Sequence, residues 1–267
     1  MIPKIIHYCW FGGNPLPELA KKCIDSWKKY CPDYEIIEWN ETNFDYRQYR
    51  YAQEAYEAKK WAFVSDVARL YAMVNYGGVY MDTDVEVLKP LDDILEHGAV
   101  SGFEAIDRIP TGLMACQKGH PLFSELLEDY NNRCFIQENG EYDLTTNVTT
   151  ITNICLKHGL ILNNTKQTIA DFTLFPCEYF CPKDSLTKIT TITDNTYTIH
   201  HFDGSWVSDE EKYTQRMIRR LKPVFTEKPA RYIAKFFAVS KYRGVKTVIR
   251  DTNRFLKNKL SRHNKTN

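Results

Sequence analysis

Apolar positions along this chain follow two spacings in turn. Phe63, Val67, Leu70 and Val74 recur four, three and four residues apart, the stripe of a 3.6-residue period, and predict a helix. Asp66 and Arg69, three apart, lie to one side of that stripe. Asn75-Tyr76-Gly77-Gly78 ends the helix with residues that tolerate positive φ. Val79-Tyr80-Met81 then predicts a short buried strand, Asp82-Thr83-Asp84 follows at its end, and Val85 to Leu88 continues extended. Upstream, Pro3 to Trp10 reads as a strand closed by Gly12-Gly13. A helix bearing Leu19, Cys23, Ile24 and Trp27 comes next, and Tyr34 to Trp39 is a second strand. Downstream the pattern predicts two strands within 98–117, helices over 121–130 and 146–158, and a strand from Tyr197 to Phe202. Strand and helix alternate, which points to an α/β layer fold with an open, mostly parallel sheet flanked by helices.

Composition changes little in this picture. The chain has 267 residues, 43% hydrophobic and 26% charged, which suits a globular domain with a large core and no need of disulfides. Its eight cysteines form no Cys-x-x-Cys pair, so reduced thiols are expected and a zinc site is not. No apolar run reaches the ~18 residues of a membrane span, and Met1 to His7 lacks the pattern of a secretory signal, so a cytoplasmic location is expected.

Charge divides the chain. From Lys212 to Asn267 there are 17 basic side chains against two acidic ones, a net of +15, while residues 1–211 carry 18 against 32, a net of −14. This places a boundary near 211, between a catalytic domain over 1–211 and a basic tail over 212–267. Tyr232, Ile233, Phe236, Phe237, Val245, Val248, Ile249, Phe255, Leu256 and Leu260 are interleaved with the tail's cations, a pattern for amphipathic helices. Docking on an anionic membrane surface competes with an arm packed on the acidic domain. No recognition motif for nucleic acid accompanies the charge.

The acidic tripeptide needs its context. With 17 Asp in the chain, one Asp-x-Asp arises by chance about once, so position carries the argument. Two carboxylates at the mouth of an apolar strand sit where open α/β sheets bind ligands. Paired hard oxygens there suit Mn2+ or Mg2+ carrying a diphosphate. A solvated turn is the bland alternative. Phosphatases of the haloacid dehalogenase type also place Asp-x-Asp after a strand and use the first Asp as nucleophile. That reading falls behind, because the pair lies late and no convincing Gly-Asp-x-x-x-Asp follows it.

Three patches then resemble one family. Ile2-Pro3-Lys4-Ile5-Ile6-His7-Tyr8-Cys9-Trp10-Phe11-Gly12-Gly13 resembles the opening of glycosyltransferase family 32, whose sugar-binding region contains the Asp-x-Asp motif. Ala62 to Tyr71 and Tyr76 to Asp84 resemble its central block, shared with the glucosyltransferase domains of large clostridial toxins. His200-His201-Phe202-Asp203-Gly204-Ser205-Trp206 is similar to its closing segment. The resemblance implies a GT-A-like fold, a nucleotide-sugar donor, expected to be a UDP-sugar, and retention at the anomeric carbon. It implies that Trp10 stacks on the base beside Cys9, and that Asp66 and Arg69, with Ser65 next to them, hold the donor sugar and phosphate side. Tyr80 and Asp82 are expected near the ribose. Asp82, Asp84 and His201 are expected around the metal, with His200 as the alternative because neighbours on a strand face opposite ways. Ser205 and Trp206 are expected at the diphosphate. Where the family has a motif near Thr-Gly-Pro, this chain has Thr145-Thr146-Asn147, which leaves the acceptor side open.

The expectation is therefore a metal-dependent, retaining glycosyltransferase, peripheral at the inner face of the membrane, that extends a lipid-linked, cell-surface polysaccharide of the capsular kind. A sugar- or lipid-binding module with a degenerate site is the non-enzyme alternative, and the intact Asp66, Arg69, Asp82 and Asp84 weigh against it.

Overall fold

The computed structural model describes residues 1–185, 187–204, 209–245 and 247. It divides into two compact units, Met1–Asp203 and a second from Gly204 onward. The first unit begins with β1 (Ile5–Cys9), α1 (Glu18–Tyr30), β2 (Glu35–Trp39), α2 (Arg50–Glu57), α3 (Trp61–Tyr76), β3 (Gly78–Met81) and β4 (Val85–Val87). It continues through β5 (Ala99–Gly102), β6 (Leu113–Cys116), α4 (Pro121–Asp129), α5 (Asn147–Lys157), β7 (Gln167–Ile169), β8 (Phe172–Phe175), α6 (Cys177–Phe180) and β9 (Thr198–His200). The second unit holds α7 (Asp209–Leu221) and α8 (Glu227–Arg243). The unit boundary falls a few residues before the point where the charge changes sign.

Seven strands form one sheet in the order β2-β1-β3-β6-β5-β8-β7, and β4 pairs with β9 in a separate ribbon. β1, β2, β3, β5 and β8 run one way, while β6 and β7 run against them. This is the open, mostly parallel, helix-flanked sheet expected from the sequence.

Strand alternation sorts the side chains into two cores. Ile6 and Tyr8 of β1 and Val79 and Met81 of β3 face one layer with Cys23, Ile24 and Trp27 of α1. Cys9 and Tyr80 face the other layer with Val64, Val67, Ala68 and Leu70 of α3. His7 is fully buried on the Cys9 side: its Nε2 bonds the Gly77 carbonyl at 2.7 Å, and Trp39 Nε1 donates to its Nδ1 at 3.1 Å. That pairing fixes one neutral tautomer, and burial holds its pKa below the usual value. Gly77 (φ 70) and Gly78 (φ 106) close α3 and let β3 pass β1. A Cβ at Gly78 would lie 2.6 Å from the Ile5 carbonyl oxygen. The metal-motif loop between β3 and β4 is thereby pinned to the centre of the sheet.

Three elements have no counterpart in the sequence reading: α2, α6 and the hairpin β7–β8. The hairpin turns through Ala170 (φ 44) and Asp171 (φ 60), left-handed residues without the Asn-Gly signal such turns usually carry. All eight cysteines are free. Among the described residues no helix is long and apolar enough to cross a membrane.

Trp27 ties α1 to the strand after the acidic motif, donating from Nε1 to the Val85 carbonyl at 2.7 Å while fully buried. Trp27→Phe leaves that carbonyl unpaired and opens a small gap, so the unfolding free energy is expected to drop by about 1–3 kcal/mol in urea titration. No measurable change would show that α1 does not anchor β4.

Candidate active site

The centre of the site is a buried cation. Arg69 projects from α3 with its side chain 7% exposed and stands 4.6 Å over the Tyr80 ring. Its Nη1 donates to the Thr111 carbonyl at 2.9 Å and to Thr111 Oγ1 at 3.1 Å. Nη2 lies 3.3 Å from both Asp66 Oδ1 and Asp82 Oδ1, and Nε donates to the Ser65 carbonyl at 3.3 Å. Tyr80 donates from its hydroxyl to Asp82 Oδ1 at 2.8 Å. The helix turn that sets Asp66 and Arg69 three apart thus brings both to the strand end that carries Asp82. Arg69 directs all its nitrogens at the protein, so here it orients Asp66 and Asp82. The i,i+3 pair that the spacing suggests is present, but buried within the site and not on the surface.

Asp66 is unusual among these groups. Burial is the largest influence and lifts its carboxyl to about 6; Arg69 draws it down and Asp82 pushes it up. Asn147 at the start of α5 donates from Nδ2 to the Asp66 carbonyl at 2.7 Å and accepts from the Tyr130 hydroxyl at 2.6 Å. The residue that departs from the family pattern is therefore built into the Asp66 corner.

Asp84 lies on the other side of the loop. His200 Nε2 stands 3.2 Å from Asp84 Oδ1, because β9 pairs with β4 in a register that sets His200 opposite Val85. The Asp203 amide donates to Asp84 Oδ2 at 2.9 Å. Burial alone would raise the Asp84 pKa, but the His200 charge and these hydrogen bonds outweigh it and bring it to about 2. Burial likewise opposes charge on His200, and the Asp84 carboxylate overrides it and raises the ring well above the usual value. His200 Nδ1 is buried without a hydrogen-bond partner. Gly112 makes room for this ring: a Cβ there would come within 2.7 Å of His200 Cε1 and 3.3 Å of Asp82 Oδ2.

Asp82, Asp84 and His200 each offer one ligand atom, all within 4.8 Å of one another. Two carboxylates and an imidazole with an unpartnered buried nitrogen form a donor set that fits Mn2+ or Mg2+. His201, the residue first expected in this set, faces away. Its Nε2 lies 2.8 Å from Glu86 Oε2, and Lys22 reaches the same oxygen at 3.0 Å. Alternation along the strand is the reason: with His200 turned to Asp84, its neighbour must face Glu86. A phosphatase-type nucleophile also fits poorly, since Asp82 is held by both Tyr80 and Arg69.

At the C-terminal end of β1, beside Arg69 and Asp82, Cys9 is buried, and burial pushes its thiol up to about 12, which keeps it neutral. Its Sγ lies 4.0 Å from the Ser65 carbonyl. Trp10 is half-exposed and donates from Nε1 to the Asn14 carbonyl at 2.6 Å. Asn14 edges a cleft of about 570 Å3, lined also by Gly12, Gly13, Glu41, Tyr56, Lys59 and Trp61. Trp61 sits one helical turn before Ser65 and two before Arg69 on α3. Ser205 and Trp206 lie outside the described residues. Trp61, Thr111 and Gly112 escaped the sequence reading of the site, as did Glu104, whose carboxyl is raised mainly by burial and senses both His200 and Asp82. Asn147 entered it only as part of the Thr145-Thr146-Asn147 departure on the acceptor side, and Trp61 sat beside a quoted motif, where a helix-face projection would have found it.

The fold and site together define a class, an open α/β sheet with paired aspartates at the end of a central strand. Residues 17–101 match the family model described as "Glycosyltransferase sugar-binding region containing DXD motif". The chain is 30% identical over 140 residues to inositol phosphoceramide mannosyltransferase 3 of Schizosaccharomyces pombe, covering 48% of this chain and 37% of that one. It is 26% identical over 196 residues to "Uncharacterized glycosyltransferase L373" of Acanthamoeba polyphaga mimivirus, covering 68% of this chain and 74% of the other. The solved structure "PaToxG Glycosyltransferase" aligns with a TM-score of 0.40 at 22% identity, over 48% of this chain and 58% of that one. The chain spans about a third of the length of the curated mannosyltransferases it matches first. Trp10, His200 and the basic segment lie outside the family match.

The buried Asp66 carboxyl has a thermodynamic signature. Its folded pKa of about 6 exceeds the ordinary 3.8, so its contribution to stability is complete below about pH 4 and is lost as pH rises through about 6. Relative to Asp66→Asn, the native chain is expected to lose roughly 3 kcal/mol of unfolding free energy between about pH 4 and pH 7. A difference that stays flat across this range contradicts the assignment.

Proposed function

We propose that this chain is a retaining, metal-dependent glycosyltransferase that moves a hexose from a uridine diphosphate donor to a lipid-linked glycan. The observation that carries the reading is the meeting of Asp82, Asp84 and His200 beside the Arg69–Asp66 pair, on the helix whose first residue, Trp61, lines a cleft. Asp82, Asp84 and His200 are the residues that would hold the cation. When bound there, Mn2+ or Mg2+ neutralises negative charge on the departing diphosphate.

The remaining work falls to the chain. Trp61, which lines the cleft, and Trp10, tied to its edge through the Asn14 carbonyl, offer indole faces for the base; Gly13 leaves open space there, while Gly12 is packed against the Trp61 indole. Asp66, whose carboxyl burial lifts to about 6, presents an oxygen acceptor to the sugar hydroxyls. Arg69 keeps Asp66 and Asp82 at fixed separation, so the site is organised before substrate arrives. Same-face attack, with the leaving phosphate accepting the acceptor's proton, is the retaining route proposed. Ser205 and Trp206 are proposed to meet the diphosphate, as the resemblance implies. The lipid-linked acceptor gains support from relatives named for inositol phosphoceramide and mannosyl phosphorylinositol ceramide. A cell-surface polysaccharide of the capsular kind remains the proposed product.

Hydrolysis of UDP-hexoses in the presence of Mn2+ tests the reading. Turnover is expected to fall to background on chelation, and by roughly 100-fold or more in Asp84→Asn, with Mn2+ binding weakened in parallel by titration calorimetry. Activity that survives both chelation and this substitution would remove the metal from the account. Trp61→Ala is expected to raise the donor KM by roughly tenfold with kcat little changed, as loss of a stacking surface should. An unaltered KM places the base elsewhere.

A further inference from the structure

The second unit carries an apolar surface that its own helices leave bare. Ala230, Ala234 and Ala238 recur every fourth residue of α8 and are fully buried, on the side where α8 packs with α7. The opposite side is different. Tyr232 and Phe236, one turn apart, are 72% and 51% exposed, and Val224 and Phe225 in the turn joining the two helices are 77% and 41% exposed. The far end of the hairpin is fastened, with Tyr213 and Tyr242 edge to face at 6.0 Å and Arg243 Nε 2.7 Å from Glu210 Oε2. The apolar ridge is therefore held on a paired scaffold.

Charge says what can cover it. The segment from Lys212 onward carries a net of +15, and Arg216, Arg219, Arg220 and Lys222 on or just after α7 and Lys235 on α8 lie near this ridge in sequence. A second copy of the chain would bring the same sign of charge to the same face, which opposes self-association there. An anionic surface with an apolar layer beneath it matches both features at once: headgroup phosphates for the cations, acyl chains for the aromatic and aliphatic side chains. A nucleic acid would satisfy the charge and leave the ridge in water.

We propose that Val224, Phe225, Tyr232 and Phe236 insert at the headgroup boundary of an anionic bilayer, with the flanking Lys and Arg side chains on lipid phosphate. The inference stands apart from the donor site, since none of these residues belongs to it.

Sedimentation of the full chain with vesicles of phosphatidylcholine, with and without phosphatidylglycerol, tests it. Binding is expected only with the anionic lipid, to weaken as salt is raised, and to fall by roughly tenfold or more in a Tyr232→Ser, Phe236→Ser double variant. Helicity by circular dichroism and UDP-hexose hydrolysis in solution are expected to be unchanged in that variant, which separates lost docking from lost folding. Three results would overturn the proposal: no binding to anionic vesicles, equal binding by the double variant, or a solution dimer that the same variant dissolves. Loss of nucleic-acid binding in the variant without loss of vesicle binding would overturn it as well.

Discussion

The site depends on one buried guanidinium. Arg69 is enclosed by Asp66, Asp82, Thr111, Ser65 and the face of Tyr80, each within hydrogen-bond, ion-pair or cation–π distance. A cation taken out of water is tolerated only when such partners surround it, and removing any one leaves the others uncompensated. Its presence therefore dictates the neighbourhood: two carboxylates sharing Nη2, a carbonyl from the loop before β6, and an aromatic ring from β3. Asp82 is locked by this arrangement, while Asp84, two residues on, is free to pair with His200.

This division of labour explains why the motif needs two aspartates and a single-residue spacer. Strand alternation would leave residues two apart on one face, so it is the turn through Asp82–Asp84, closed by the Val85 amide donating to the Asp82 carbonyl at 3.0 Å, that separates the two carboxylates. Asp82 belongs to the α3 side with Tyr80, and Asp84 reaches the β4–β9 ribbon. The cluster with His200 spans the gap between sheet and ribbon, and Gly112 keeps that gap open by offering no side chain. Close packing here leaves no room for even one added methyl group without displacing the imidazole.

Much of this was legible in the sequence because the relevant signals were local. The α3 stripe, the Gly77-Gly78 stop and the short strand before the aspartates each follow from spacing or backbone freedom, and they lie where expected. What the sequence left open depends on long-range register. Whether His200 or His201 faces the aspartates is decided by how β9 pairs with β4, more than a hundred residues apart in the chain. Thr111 and Gly112 carry no motif; only the crossing of the loop before β6 over the end of β3 brings them to Arg69 and His200. The β7–β8 hairpin was silent because Ala170 and Asp171 adopt left-handed backbone that composition does not announce. Asn147 read as a departure from a family pattern, whereas its side chain ties α5 to the α3 backbone at Asp66.

A crystal structure of the chain grown with Mn2+ and UDP, with data collected at the manganese edge, tests the central claim most directly. The account predicts one anomalous peak within bonding distance of Asp82, Asp84 and His200, with the uracil between Trp10 and Trp61. A peak on the Glu86–His201 side, or a nucleotide bound away from the Gly12–Trp61 cleft, would contradict it.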